Sequence, residues 1–413
     1  MYSMVRTFHP VGQGAFCSEE FLDECGEVVF RAVYDCGCIN RRNAKKHGTF
    51  IVRREARKWG GPHGKRIDYL FISHFDYDHV SLLRVLLAEK VAVGVVILPL
   101  LHQNDKKFYV QLFKKVYAKT DAAFLSKLIE EPSTVFAPGT AVVHIRANAF
   151  SSENVPSGRI DKTREPMRFD VRKVNDGAGC PDEVPPDTIF PVDADGIEGA
   201  DWCYVPRNLE CPARLLLLAK QFDHVKSRES LAMFHELMKH WTGRGFGTLK
   251  KAYGKLPGGI NSNSMVVWSG PERGSSRWFL DSFSSRECNL NHLGDMRALC
   301  CDVKNCLDSC RRKFCRPACI FTGDVNLAQF KIEDEFASQL ELVGTIQVPH
   351  HGSCHSFSPD IFEGGYYVCP MSCSNESYYG HPDASVTNQL VYFGSFPIRV
   401  TENQPLEQHI YKF

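Results

Sequence analysis

The alternation of apolar and polar positions divides the chain into strand-like and helix-like segments. Near the N-terminus "MVRTFHP" and "VVFRAVYDCG", the latter ending at Asp35 and Gly37, predict two strands joined through the turn "VGQGAF". "RRNAKKHGTFIVRREARKWG" is basic and predicts a helix. "RIDYLFIS" runs apolar without a break, the pattern of a strand covered on both faces, and it delivers His74 at its end. A similar strand is predicted over Val91–Leu98, and Phe108, Leu112 and Val116 recur at helical spacing within Lys106–Lys119. Residues 130–210 are rich in Pro, Asp and Gly and read as a loop-rich insertion or lid. Pro212–Trp241 predicts one or two amphipathic helices with Leu231, Phe234, Met238 and Trp241 on one face. Strand patterns return at "SMVVWSG", "RWFLDSF", "IFTGDV", "GTIQVPHHGS" and "YYVCPMS", with a helix predicted near Leu327–Leu340. Strands alternating with helices predict an α/β layered fold.

A length of 413 residues suits one elaborated domain or two smaller ones. The formal net charge of +1 excludes a whole-protein basic field, so contact with nucleic acid must rest on a local patch. Two basic segments are available, Arg41–Lys58 and Arg244–Lys255, each of which also reads as a solvated face. Trp241, Phe246 and Tyr253 offer stacking surfaces beside the second, or belong to a helix core. The N-terminus lacks a signal-peptide pattern, and no apolar run reaches the roughly 18 residues of a membrane span. A cytoplasmic protein with no membrane partner is the expectation. The 17 cysteines, an odd count, then read as free thiols or metal ligands.

The densest chemistry lies in "ISHFDYDHV", which places His74, Asp76, Asp78 and His79 within six residues. Asp324 in "FTGDV", His350 and His351 in "VPHHGS" and His381 in "YGHP" also follow strand patterns. Together they supply the N and O donors of two divalent metal ions, about seven or eight in number, without a thiolate. Mixed imidazole and carboxylate donors favour Zn²⁺ or Mn²⁺. Asp324, between a strand and a helix, is placed to bridge two ions. Each motif alone reads as a hydrogen-bonded pair in a loop; their joint appearance after separate apolar strands argues for a metal centre. Cys36 and Cys38 flank Gly37 nearby, but the carboxylates favour a metal-activated water over a Cys–His nucleophile.

"HFDYDH" resembles the HxHxDH signature of the metallo-β-lactamase fold, with Asp76 in place of the middle histidine. "VGQGAF", "YDCG", "NSNSMVV", "FTGD", "VPHHGS" and "YGHP" follow in family order from Val11 to about Leu390. The chain thus resembles the metallo-β-lactamase domain of the DNA-uptake protein ComEC and its free-standing relatives. It departs from them at Ala15, where an acidic residue is usual, and at Asn261–Ser264, near the place of the third-motif histidine. The resemblance implies a single αββα sandwich over residues 1–413, with a helical and loop insert at 100–255 and a Cys-rich insert at 285–319. It implies that His74 and Asp76 hold a first metal, Asp78 and His79 a second, that Asp324 bridges, and that His351 closes the second site. His350 or His381 would complete the first site or act as an acid toward the leaving group, with Asp78 among the catalytic residues.

The Cys-rich insert, "CCDVKNCLDSCRRKFCRPAC", begins at Cys300 and offers Cys301, Cys306, Cys310, Cys315 and Cys319 as candidate structural zinc ligands. Its spacings are not paired CxxC, so a helical hairpin with cysteines packed as small apolar residues is the alternative. Arg311, Arg312, Lys313 and Arg316 could form an anion patch there. The expected function is metal-dependent hydrolysis of phosphodiester bonds by a nuclease acting on DNA or RNA. A bacterial effector or defence enzyme, held in check by a regulatory protein partner, would suit a free-standing member. Two alternatives stand beside it: a hydrolase of a small phosphate ester or cyclic nucleotide, and a non-enzymatic partner-binding module with structural metals. Whether the 100–255 insert closes over the site or leaves an open basic groove discriminates the two enzymes.

Overall fold

The structure is a computed structural model that describes residues 2–60, 64–101, 103–149, 165–170, 180–193, 201–210, 264–272, 278–285, 289–290, 316–376 and 379–412. Its strands in chain order begin with β1 (Ser3–Phe8), β2 (Phe16–Leu22), β3 (Val28–Cys36), β4 (Arg66–Phe71), β5 (Ala92–Pro99) and β6 (Ala141–Ile145). There follow β7 (Ala147–Ala149), β8 (Glu183–Val184), β9 (Phe190–Pro191), β10 (Trp202–Glu210), β11 (Val266–Pro271) and β12 (Trp278–Ser284). The last are β13 (Asn289–Leu290), β14 (Ala318–Phe321), β15 (Val343–Ile346), β16 (Val368–Ser372), β17 (Phe396–Val400) and β18 (Leu406–Lys412). They form two sheets. One runs β13-β12-β18-β1-β2-β3-β4-β5-β6-β8, the other β17-β16-β15-β14-β11-β10-β7, with β9 paired to β10.

The sheets stack face to face, and period-two alternation assigns each side chain to a layer. In β4, Tyr69 and Phe71 enter the inter-sheet core with Trp202, Tyr204, Val267 and Phe321. Leu70, between Tyr69 and Phe71, faces a helical layer. That layer contains α1 (Arg42–Lys58), α3 (Leu83–Ala88), α4 (Gln103–Val116) and α5 (Lys119–Glu130), with the single turn α2 (Tyr77–Val80) before α3. On the outer face of the second sheet, Val386 and Leu390 of α6 (Ala384–Tyr392) pack against Val205, Val266, Ile320 and Met371. The result is the αββα sandwich implied by the resemblance. Among the described residues no helix is long and apolar enough to cross a membrane.

Several expectations change. "FCSEEFL", unread as a strand, is β2, because its Glu19 is buried in an ion pair with Arg6 rather than solvated. The loop-rich span 130–210 supplies β6 to the first sheet and β10 to the second, so the described part of the 100–255 insert is built into the sandwich. The helix expected over Leu327–Leu340 shortens to one turn at Ile332–Glu335, because the Asn326 side chain caps a tight turn at Ala328. Cys319, expected with the zinc ligands, is a β14 residue in the inter-sheet core, where burial pushes its thiol up to about 12 and keeps it protonated. Cys300, Cys301, Cys306, Cys310 and Cys315, the helices of Pro212–Trp241 and the basic segment Arg244–Lys255 lie outside the described residues.

Candidate metal centre

Four chain segments meet at one edge of the sandwich, where the parallel strands β3, β4, β14 and β15 end. The loop that follows β4 carries His74, and α2 carries Asp78 and His79. Two glycine motifs hold its backbone. The Ala15 amide donates to the Asp78 carbonyl at 3.0 Å, and the Gly37 amide donates to the Ala15 carbonyl at 2.8 Å. A Cβ on Gly37 would stand 2.4 Å from the Asp78 carbonyl group, and one on Gly14 (φ 148°) 2.5 Å from the Cα of Cys38. The glycines of "VGQG" and "DCG" therefore admit a close backbone approach, and what approaches is the donor loop itself.

The donors form two clusters that share His79: His74, His79 and Asp324, and Asp78, His79 and His351. Asp324 faces both ways. Its Oδ1 lies 3.1 Å from His79 Nε2, and its Oδ2 lies 3.7 Å from His74 Nε2 and 3.8 Å from His350 Nε2. His351 Nε2 lies 3.1 Å from Asp78 Oδ2. Two donors bound tetrahedrally to one ion at about 2.1 Å stand roughly 3.4 Å apart, so these separations suit shared metal ligation. His74 and His79 are buried, and neither Nε2 makes a hydrogen bond. Buried imidazole nitrogens without partners are costly unless a ligand takes them up. The residues present fit a divalent metal pair.

The opposite ring edges are fully engaged. Asp35 Oδ2 lies 2.8 Å from His79 Nδ1 and 2.6 Å from Ser73 Oγ, while Asp35 Oδ1 accepts from the Ser73 amide at 2.7 Å. Ser73 Oγ in turn lies 2.9 Å from His74 Nδ1. With Ser73 donating to Asp35, the Nδ1 edge of each ring is held and each Nε2 is the ring atom turned toward the cluster. One buried carboxylate thus orients both rings. Asp35 was noticed in the sequence only as the end of "YDCG", and Ser73 not at all. The signal was a carboxylate at a strand end opposite a histidine-bearing loop.

Burial opposes charge throughout the cluster, and the neighbours decide each case. It pulls the His79 pKa down, but Asp324 and Asp35 lift it well above the usual histidine range. It pushes the Asp78 carboxyl up, yet the His351 hydrogen bond and the charge of His79 bring it to about 2. Asp324 falls well below the carboxylate range against its own burial, through His350, His79 and His74. Burial and then His79 lower His74 to about 3.

The other expected residues are placed unequally. Asp76 precedes α2 and belongs to neither cluster; its charge acts on the Tyr117 phenol. His350, not Asp76, joins His74 on Asp324 Oδ2. The His381 ring lies 5.8 Å from that of His350, and burial with His351 and His350 lowers its pKa to about 4. Asp35, His350 and His351 adopt φ of 56°, 50° and 58°, three of the six non-glycine residues with positive φ among the described residues. Such conformations persist where the surroundings impose them and collect at functional sites. Cys36 and Cys38 are buried and their thiols are pushed up, Cys38 to about 12, so neither is a ready nucleophile.

The family model of the metallo-beta-lactamase superfamily matches residues 30–202. That span contains Asp35 and the His74–His79 loop, and it ends before Asp324, His350 and His351, which the second sheet brings to the same clusters. No curated relative matches the chain.

Proposed function

We propose that the protein is a metal-dependent phosphodiesterase that cleaves nucleic acid. The observation that carries this reading is Asp324, a single buried carboxylate with Oδ2 beside His74 and His350 and Oδ1 beside His79, the histidine common to both donor clusters. His74, His350 and Asp324 would hold one metal ion, and Asp78, His79 and His351, with Asp324, would hold the other. When bound there, a divalent pair supplies Lewis-acid polarisation and lowers the pKa of water in the site, the chemistry suited to phosphoryl transfer. Asp35 and Ser73 hold the Nδ1 edges and fix both rings. Asp324 and Asp78 balance cationic charge where a phosphate arrives. His381, at the rim beside His350, is assigned to hydrogen-bond the leaving oxygen.

A polymer substrate is favoured by the rim. The His350 side chain is 36% exposed there. The test is cleavage of labelled single- and double-stranded DNA and RNA with Mn²⁺, Zn²⁺ or chelator, beside the Asp78→Ala/His79→Ala variant. Metal-dependent cutting, abolished in the variant, is expected. Turnover of a cyclic or small phosphodiester with no cutting of any polymer would replace nucleic acid by a small substrate. A metal-loaded protein that turns over neither would sink the hydrolase reading.

A further inference from the structure

We propose that the outward face of α1 is a binding track for the phosphate backbone of a single-stranded nucleic acid, leading to the metal centre. The proposal rests on the phosphodiesterase reading only for where the strand goes next. A groove along this face is lined by Arg42, Lys46, Phe50, Arg53 and Arg57, among others. Residues 41–58 carry eight Lys or Arg and one acid, Glu55, in a chain whose net charge is +1. This segment is therefore far more basic than the chain as a whole. From Arg42 to Arg57 the helix advances about 22 Å, the length of several nucleotides.

The groove is joined to the site. Lys45, also on its wall, donates from Nζ to the Tyr77 hydroxyl at 2.7 Å, and Tyr77 directly precedes the ligand Asp78. Some of the cations are engaged within the protein: Lys45 with Asp121, Arg53 and Arg57 with Glu89, Arg54 with Glu55. Arg42 and Lys46 are exposed and make no ion pair among the described residues. The first turn of α1 contains no acidic residue, so basic side chains crowd the positive end of the helix dipole. A phosphate seated there would relieve that mismatch.

Phe50 decides the class of partner. It is 60% exposed in the middle of the groove, with the Arg54 guanidinium 6.0 Å from its ring centre. A bare aromatic ring between cations is a stacking platform for an unpaired base, which a duplex does not offer. A membrane surface fits less well. The apolar face of α1, formed by Ala44, Ile51, Val52 and Ala56, is buried in the protein, leaving one ring to insert.

The test uses the full chain in chelator, so that binding is read without turnover. Fluorescence anisotropy with single-stranded oligonucleotides about 12 residues long is compared with the matching duplex and with anionic phospholipid vesicles. Arg42→Gln/Lys46→Gln is expected to weaken single-strand binding about tenfold and to flatten the log–log salt slope by about 1.4. Lys127→Gln/Lys331→Gln, which removes equal charge elsewhere, is expected to bind as the native protein does. Phe50→Ala is expected to weaken single-strand binding and to leave any duplex binding as it was. Equal affinity in Arg42→Gln/Lys46→Gln, or binding to vesicles without binding to oligonucleotides, would overturn the track. Strands bound through α1 but never cut with Mn²⁺ or Zn²⁺ would support the track and count against the hydrolase reading.

Discussion

Two buried charge networks lie in this sandwich, and they are built on opposite terms. Around Arg6, each guanidinium nitrogen has a partner: Glu19 at 2.5 Å, Gln408 at 3.0 Å and the Pro317 carbonyl at 3.0 Å. Ser269 of β11 donates to the far oxygen of Glu19 at 2.7 Å, and Trp202 of β10 donates to Ser269 at 2.9 Å. The network ties the two sheets together and closes on itself. Around Asp324 the imidazoles are satisfied on one edge only, by Asp35 and Ser73, and their Nε2 atoms make no hydrogen bond. A buried charge that its own protein completes is architecture. A buried donor set left open on one side awaits a ligand.

The sharpest way to break this distinction is Asp324→Ala, which removes the carboxylate proposed to serve both metal positions. Metal content measured by mass spectrometry is expected to collapse, with hydrolysis falling at least about 10³-fold. Retention of a full metal complement would mean the two clusters do not depend on a common carboxylate. On the closed side, Glu19→Ala leaves the Arg6 guanidinium buried without its counter-charge. A loss of about 3–5 kcal/mol is expected, read from urea midpoints, with unchanged metal per folded molecule.

His9 belongs to the closed side as well. It is buried, stacked on Phe16 and 2.8 Å from Ser18 Oγ, and burial lowers its pKa to about 4 against the pull of Glu55, with Arg54 and Lys58 adding to the fall. The unfolded chain protonates this ring near pH 6.5, so between those values it binds more protons than the folded one. Stability from this group is complete above about pH 6.5 and is lost as the pH falls toward 4, on the order of 3 kcal/mol in all. Urea midpoints of chelated protein across this window should show a steeper decline in the native protein than in His9→Gln; parallel curves would remove His9 from the account. The smallest effect is expected from Asp35→Asn, since asparagine tolerates the left-handed backbone there. Metal affinity should fall about 10–100-fold with the fold intact. An unchanged affinity would show that the rings need no carboxylate behind them.

How much of this was legible in the sequence depended on where each residue's partner lies. β3, β4 and β5 were readable because their apolar runs are unbroken, and the His74–His79 loop because four donors crowd six positions. β2 was hidden by Ser18 and Glu19, polar residues whose partners His9 and Arg6 lie on another segment. β10 was hidden by Pro206 and by Arg207, which is buried against the Pro186 carbonyl. His350 stands beside Asp324 Oδ2 on left-handed backbone in "PHHG", which no spacing announces. Asp35 was invisible as an orienting group because the histidine it holds lies 44 residues further along the chain.

The place of Asp324 along the chain also sets a timetable. A chain emerging from the ribosome presents His74, Asp78 and His79 first, and Asp324, His350 and His351 only after a further 245 residues or more. Until then the half-built centre has no carboxylate to join its two sides. The donor set thus stays incomplete until the second half of the sandwich has been made, so its chemistry is withheld from a growing chain.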